Sequence, residues 1–334
     1  MDLEPPLAFE VGSVAALALV VAVDLVLAHR SPRVPTAKES ALWLLVYLGL
    51  ALAFSAVLLA LSGAEYSGQF VTGWTAALTL SIDNLFVFAI ILAAFAVPRR
   101  YQQGVLLVGI VLALVLRGAV IAVGAVVVDR FSAVFYLFGL FLVYTAVNQL
   151  LGSHEHEEDA ENRVIAFLRR RIRTSEEFDG GRLRTVVDGR RVLTPLVVVL
   201  IAIGTSDLVF ALDSVPAVFG ITQSPFLVFT ANAFALLALR PLFFLLGDLV
   251  DRLAYLKYGV AVVLAFIGVK LFFHALHTNA LPFVNGGEAV TWAPEIGTAA
   301  SLAVIGGAMA AATIASLVAL RRGSRRQSKG PRHR

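Results

Sequence analysis

The chain has 334 residues, 59% of them hydrophobic and 15% charged, with a mean hydropathy of +0.84. A soluble domain carries about 25% charged residues, so this composition excludes an ordinary soluble fold and specifies an integral membrane protein. The formal net charge of +4 does not point to nucleic acid, because the bases fall in short loops between apolar spans; with no Cys, disulfides, thiolate metal sites and thiol catalysis are excluded too.

Apolar runs of bilayer length predict an all-α, polytopic membrane helix bundle of about nine transmembrane helices. They fall at about 9–28, 41–62, 72–97, 104–128, 131–151, 195–218, 225–247, 254–276 and 297–320, making 1–320 one transmembrane domain. The first span is expected to be retained, since Asp2, Glu4 and Glu10 stand where a cleaved signal peptide would carry bases. Between the fifth and sixth spans lies one long polar insertion, 152–194. In it His154-Glu155-His156-Glu157-Glu158-Asp159 reads as a solvated acidic loop, with weak metal binding as the sharper alternative. Residues 161–173 have the pattern of a basic amphipathic helix at the membrane surface, with Val164, Phe167 and Leu168 on its apolar side. Residues 182–194 read as a hairpin turning at Asp188-Gly189. The basic segment 321–334 is expected to be a disordered tail that touches anionic lipid.

The bases set the orientation. One set of loops holds Arg30, Arg33 and Lys38; Arg99 and Arg100; nine Arg within 152–194; Arg252 and Lys257; and the seven bases of the tail. The alternate loops hold only Arg130. A plasma-membrane protein with its N-terminus outside and its C-terminus in the cytoplasm follows.

Spans 3–5 and 6–8 resemble each other. Val128-Asp129-Arg130 matches Val250-Asp251-Arg252, Leu114 to Arg117 matches Leu237 to Arg240, and Ile82-Asp83-Asn84 matches Leu212-Asp213-Ser214. The two sets enter from opposite sides, a probable inverted repeat, and in transporters built this way the substrate sits where the repeats meet.

Ionisable groups at bilayer depth are costly and tend to mark ion paths. Asp83-Asn84 lies in the third span, Asp207 and Asp213 in the sixth. On a straight helix the last two stand about 9 Å apart in height and about 120° apart in azimuth, so one ion could not bind both without distortion. Pro216 supplies a reason for distortion by depriving the Leu212 carbonyl of its donor. Ser206, Ser214, Ser81 and Thr79 add hydroxyls, and Asn148 and Asn232 are further lining candidates. Such hard oxygens suit Mn²⁺, Mg²⁺ or Ca²⁺. Against this, Arg117, Arg240 and Lys270 also lie within spans, and permanent pairing with the acids would make all of them structural. Arg240 lies nearer the cytoplasmic end and Lys270 nearer the other, which argues against complete neutralisation. Asp24, Asp248 and Asp251 fall near cytoplasmic ends and read as interfacial.

At Leu80-Ser-Ile-Asp-Asn-Leu-Phe-Val-Phe88, Ser206-Asp-Leu-Val-Phe-Ala-Leu-Asp-Ser-Val-Pro-Ala217, Lys257-Tyr-Gly259 and Ile267-Gly-Val-Lys270 the chain resembles the TerC family of bacterial membrane proteins, in its longer Alx-like form. The likeness runs from about Val23 to Phe273. It implies efflux of a divalent cation, chiefly manganese, as a transported substrate with no bound cofactor, and a link to tellurite resistance and envelope stress. Carried over by position, Asp83, Asn84, Asp207, Asp213 and Ser214 would line the ion path, with Ser81, Ser206, Leu212, Asn232, Arg117, Arg240 and Lys270 in support. Relatives usually carry Glu at the positions of Ala77 and Gly204, so two ligands are missing here. The alternative is a non-transporting scaffold for stress complexes or for metal loading of exported proteins, docking partners through 152–194. Direct handling of tellurite by the three bases ranks last beside three acids.

Overall fold

A computed structural model describes residues 5–30, 34–131, 133–151, 175, 179, 182–187, 190–246, 255–279, 281, 284–290, 292–294 and 296–327. Its helices are α1 (Leu7–Arg30), α2 (Ala37–Ala94), α3 (Arg99–Arg130), α4 (Val134–Leu151), α5 (Pro195–Phe219), α6 (Pro225–Leu246), α7 (Leu256–His277) and α8 (Thr298–Gln327). Strands β1 (Arg184–Val187) and β2 (Arg190–Leu193) pair antiparallel between α4 and α5, with Arg184 opposite Leu193. The hairpin expected at 182–194 is therefore present. Its turn residues Asp188-Gly189, the acidic run 154–159, the amphipathic segment 161–173, and Asp248, Asp251 and Arg252 lie outside the described residues.

All eight helices are long and apolar enough to cross a membrane. The 58-residue α2 is two crossings in one, because Gly63 breaks it with φ 89° and ψ 179°, a conformation open essentially to glycine alone. The two arms fold back on each other. Ser55 and Ser67 meet through their hydroxyls at 2.8 Å, and the rings of Phe54 and Phe70 stand 4.7 Å apart. Nine crossings result among the described residues, as the sequence predicts. The expected loop between spans 2 and 3 is absent, since helix resumes at once after Gly63. At its start α2 carries a capping box, in which the Thr36 hydroxyl accepts from Glu39 N–H and the Glu39 carboxylate accepts from Thr36 N–H.

One expectation is corrected at the C-terminus. Of the segment 321–334 read as a disordered tail, 321–327 continue α8, and 328–334 lie outside the described residues. Arg residues are good helix formers and complement the partial negative charge of a helix C-terminus, so the basic composition extends the helix.

The packing joins each candidate repeat to the other. The second arm of α2 lies along α6, α3 along α5 and α4 along α7. Between α4 and α7 the backbones nearly touch: a Cβ on Gly139 would stand 2.7 Å from the Gly268 carbonyl, and one on Gly268 2.8 Å from the Gly139 carbonyl. Small residues permit such approach where lipid supplies no hydrophobic drive for helices to associate. The core fills in three apolar clusters, around Phe70 and Phe234, around Phe88 and Ile203, and around Leu142 and Ile267.

Candidate functional site

Deep in the bundle, α3 brings Arg117 against α5. Its Nη2 donates to Asp207 Oδ1 at 2.8 Å, and Nη1 donates to Asn232 Oδ1 at 3.2 Å. Asn232 in turn donates from Nδ2 to the Val228 carbonyl of its own helix at 2.8 Å. The side chains of Arg117 and Asp207 are 1% and 0% exposed. Burial this complete leaves the ion pair unscreened, so each charge depends on the other. Asp207 Oδ2 and Arg117 Nε have no hydrogen-bond partner among the described residues.

Asp213 faces elsewhere. It is half-buried, and the Thr145 hydroxyl of α4 donates to its Oδ1 at 3.4 Å. Helix α5 runs unbroken from Pro195 to Phe219 with Pro216 inside it, so the distortion that would gather Asp207 and Asp213 is absent. Six residues of regular helix aim the two acids at α3 and α4 respectively. Ser214 is buried, its hydroxyl without a hydrogen-bond partner among the described residues, Ser206 is half-buried, and the Leu212 side chain is exposed.

On α2, Thr79, Ser81 and Asn84 are buried, and Ser81 Oγ and Asn84 Oδ1 have no partner among the described residues. Asp83 lies in the helix beside them, and its side chain is outside the described residues. Among the described residues no three His, Asp or Glu side chains gather as a metal-ligand set.

The other two bases leave the centre. Lys270 Nζ donates to Ser301 Oγ of α8 at 3.1 Å. Arg240 forms a 2.6 Å ion pair with Asp24 Oδ1 of α1. Asp24, read from sequence as interfacial, is only 4% exposed, because α1 packs its C-terminal half onto α6. Asn148 is exposed.

Each end of the bundle has a polar cavity. One, of about 220 Å³, lies where α1 ends and α2 and α3 begin, lined by Asp24, Glu39, Ser40, Gln103 and Arg240. The other, of about 730 Å³, lies at the opposite end and is lined by Glu10, Glu65, Gln69, Thr222, Lys270 and His274. The two missing-carboxylate positions hold no spare room. Ala77 is fully buried in the apolar cluster with Ala211, Val215 and Leu237. A Cβ on Gly204 would stand 2.5 Å from Leu112 Cδ2.

Sequence reasoning passed over Thr145 and misplaced Asp24 as interfacial. A signal existed for Asp24. Arg240 matches Arg117, and on the alignment of Asp83 with Asp213 the counterpart of Asp207 is Ala77, leaving Arg240 without an acid at the matching place in the other repeat.

Nine apolar crossings around a buried ion pair and unpartnered hard oxygens define a multi-pass membrane protein with a polar centre. The sequence model of the integral membrane protein TerC family matches residues 62–324. The chain belongs to that family. It is 44% identical over 297 residues to an uncharacterized membrane protein of Mycobacterium tuberculosis (strain CDC 1551 / Oshkosh), covering 88% of this chain and 75% of the relative. An uncharacterized membrane protein of Myxococcus xanthus is 37% identical over 321 residues, covering 96% and 95%. Alx of Escherichia coli (strain K12), named "Putative membrane-bound redox modulator", is 35% identical over 288 residues, covering 82% and 90%. No solved structure matches the chain.

Proposed function

We propose that the chain exports Mn²⁺ or a related hard divalent cation across a bacterial plasma membrane, with its N-terminus outside and no catalytic step. The observation that carries this reading is the set of buried oxygens without hydrogen-bond partners among the described residues: Asp207 Oδ2, Asn84 Oδ1, Ser81 Oγ and Ser214 Oγ. Each such atom costs about 1–3 kcal/mol when left unsatisfied, a cost that a bound cation offsets. Asp83, Asn84, Asp207, Asp213 and Ser214 form the path, and the two end cavities feed it from either side. Rocking of spans 3–5 against spans 6–8 alternates the access, which the pairing of each helix with one from the other set favours. Elemental analysis of manganese-loaded cells tests it. Asp83→Asn and Asp213→Asn should each raise cell manganese toward the level of a deletion strain, and unchanged manganese in all three strains refutes export.

The Arg117–Asp207 pair favours a second reading, a scaffold that moves no ion, since it fixes the deepest acid in place. The redox role in the name of the Escherichia coli relative would have to act here without thiols, through metal supply or a docked partner. Deleting 155–190 separates the readings: an exporter keeps its flux, whereas a scaffold docking through that insertion loses its function.

A further inference from the structure

The Asp24–Arg240 contact joins the bundle to α1, a helix that precedes the TerC-matched region at 62–324. Both partners line the cavity at the end that the basic loops predict to be cytoplasmic. A permanent structural pair would satisfy its remaining polar atoms, because each unmade hydrogen bond in a buried site is costly. This one does not. Among the described residues Arg240 Nη1 has no hydrogen-bond partner, and neither do Ser40 Oγ nor Gln103 Oε1, which line the same cavity. Ser40 is only 2% exposed and Arg240 6%. A second acid, Glu39, stands in the wall, its carboxylate tied to the Thr36 N–H. The Tyr47 hydroxyl lies beside the Asp24 carboxylate. These are carboxylate, hydroxyl and amide oxygens, the ligands that hard divalent cations take.

We infer that this cavity is a capture site for a hard divalent cation, with Asp24 as its charged ligand and Ser40 and Gln103 as neutral ones. In the conformation described, the Arg240 guanidinium is a tethered substitute for the cation. The site closes when Arg240 holds Asp24 and opens when an ion displaces it. The reason for the arrangement lies in the helix pairing. Arg117 finds its acid within the bundle at Asp207, whereas the residue that matches Asp207 in spans 3–5 is the uncharged Ala77, and the counter-charge of Arg240 comes from α1. A peripheral helix, whose membrane-length segment is only 6% buried, can yield its contact more readily than a central one. This site rests on the cation-export reading for its purpose, though not for its test.

Terbium is a hard cation whose emission is excited through a nearby indole, and Trp43 lines the cavity. The experiment titrates Tb³⁺ into the full chain in lipid nanodiscs, exciting tryptophan and competing with Mn²⁺. The wild-type protein should give sensitised emission that Mn²⁺ removes and that Trp43→Phe largely abolishes. Arg240→Gln, which removes the competitor, should bind several-fold more tightly. Asp24→Asn/Arg240→Gln, neutral overall, should bind roughly tenfold more weakly than Arg240→Gln, since ligand charge sets affinity in hard-cation sites. Gln103→Leu, a milder change, should weaken binding several-fold and serves if the double variant does not fold. Three results overturn the site: no sensitised emission in the wild type, emission that survives Trp43→Phe, or equal affinity in Arg240→Gln and the double variant. Terbium binding together with unchanged manganese in Asp83→Asn, Asp213→Asn and the deletion strain would instead sink export and leave the capture site standing.

Discussion

Arg117→Met is the sharpest test of how the centre is held together. It leaves Asp207, which is 0% exposed, facing an apolar side chain, and it removes the donor to Asn232 Oδ1. Breaking a buried pair by removing one partner costs about 3–5 kcal/mol, and the orphaned amide oxygen adds about 1–3 kcal/mol. Protonation of Asp207 caps the sum, so a loss of roughly 4–6 kcal/mol is expected. Asp207→Leu should cost a similar amount by stranding the guanidinium. The double variant Arg117→Met/Asp207→Leu removes both charges and should lie within about 2 kcal/mol of the parent. The assay is a double-mutant cycle on reversible unfolding in mixed micelles. A coupling energy below about 1 kcal/mol, the range of a solvated surface pair, would refute the claim that this pair is dry and mutually dependent. Export by the double variant then decides the role of Asp207. Flux near wild type makes it structural, whereas a stable double variant without flux puts it on the ion path.

Gly63→Ala forces a side chain into φ 89° and should cost about 1–3 kcal/mol, read as a drop in thermal midpoint; an unchanged midpoint would mean the reversal of α2 lies elsewhere. Gly268→Ala places a methyl 2.8 Å from the Gly139 carbonyl and should separate α4 from α7 at a cost of roughly 1–3 kcal/mol. Gly306→Ala, with nothing within 4 Å, is its matched control in the same thermal scan and should be near neutral. Gly204→Glu should express poorly by size exclusion because its Cβ falls 2.5 Å from Leu112, and Leu112→Ala should restore monodisperse protein.

The crossings were legible because a bilayer imposes a length and an apolar composition on every span, whatever it packs against. The reversal at Gly63 was less so, since a tight hairpin between helices needs only one residue of unusual φ and leaves the surrounding pattern helical. At the site, the buried acids announced themselves by their cost, but their partners did not. Arg117 could be paired with any of three acids on sequence grounds, and only the meeting of α3 with α5 selects Asp207. Asp24 misled for a related reason. Near a span end, an acid facing headgroups and an acid facing another helix look identical in sequence. Pro216 misled in the opposite sense: its missing donor costs one hydrogen bond, and the helix absorbs that without unwinding.

The closed space at 77 and 204 bears on what an exporter could do with this centre. Leu112 and the apolar cluster around Ala77 occupy the places where the family resemblance implies Glu. On the proposed export reading, with Asp207 balanced by Arg117, much of the remaining coordination would fall to neutral oxygens such as Asn84 Oδ1, Ser81 Oγ and Ser214 Oγ. Fewer charged ligands mean weaker binding, and for an exporter a weak site lets the ion leave. Binding that is equally strong before and after the slow step lowers half-saturation without raising turnover. Provided the Ala77→Glu protein is monodisperse by size exclusion, it should therefore lower the half-saturating Mn²⁺ concentration in proteoliposome flux by roughly tenfold and slow the maximal rate with it. A faster maximal rate at unchanged half-saturation would show that ligand shortage is not what sets the behaviour of this centre.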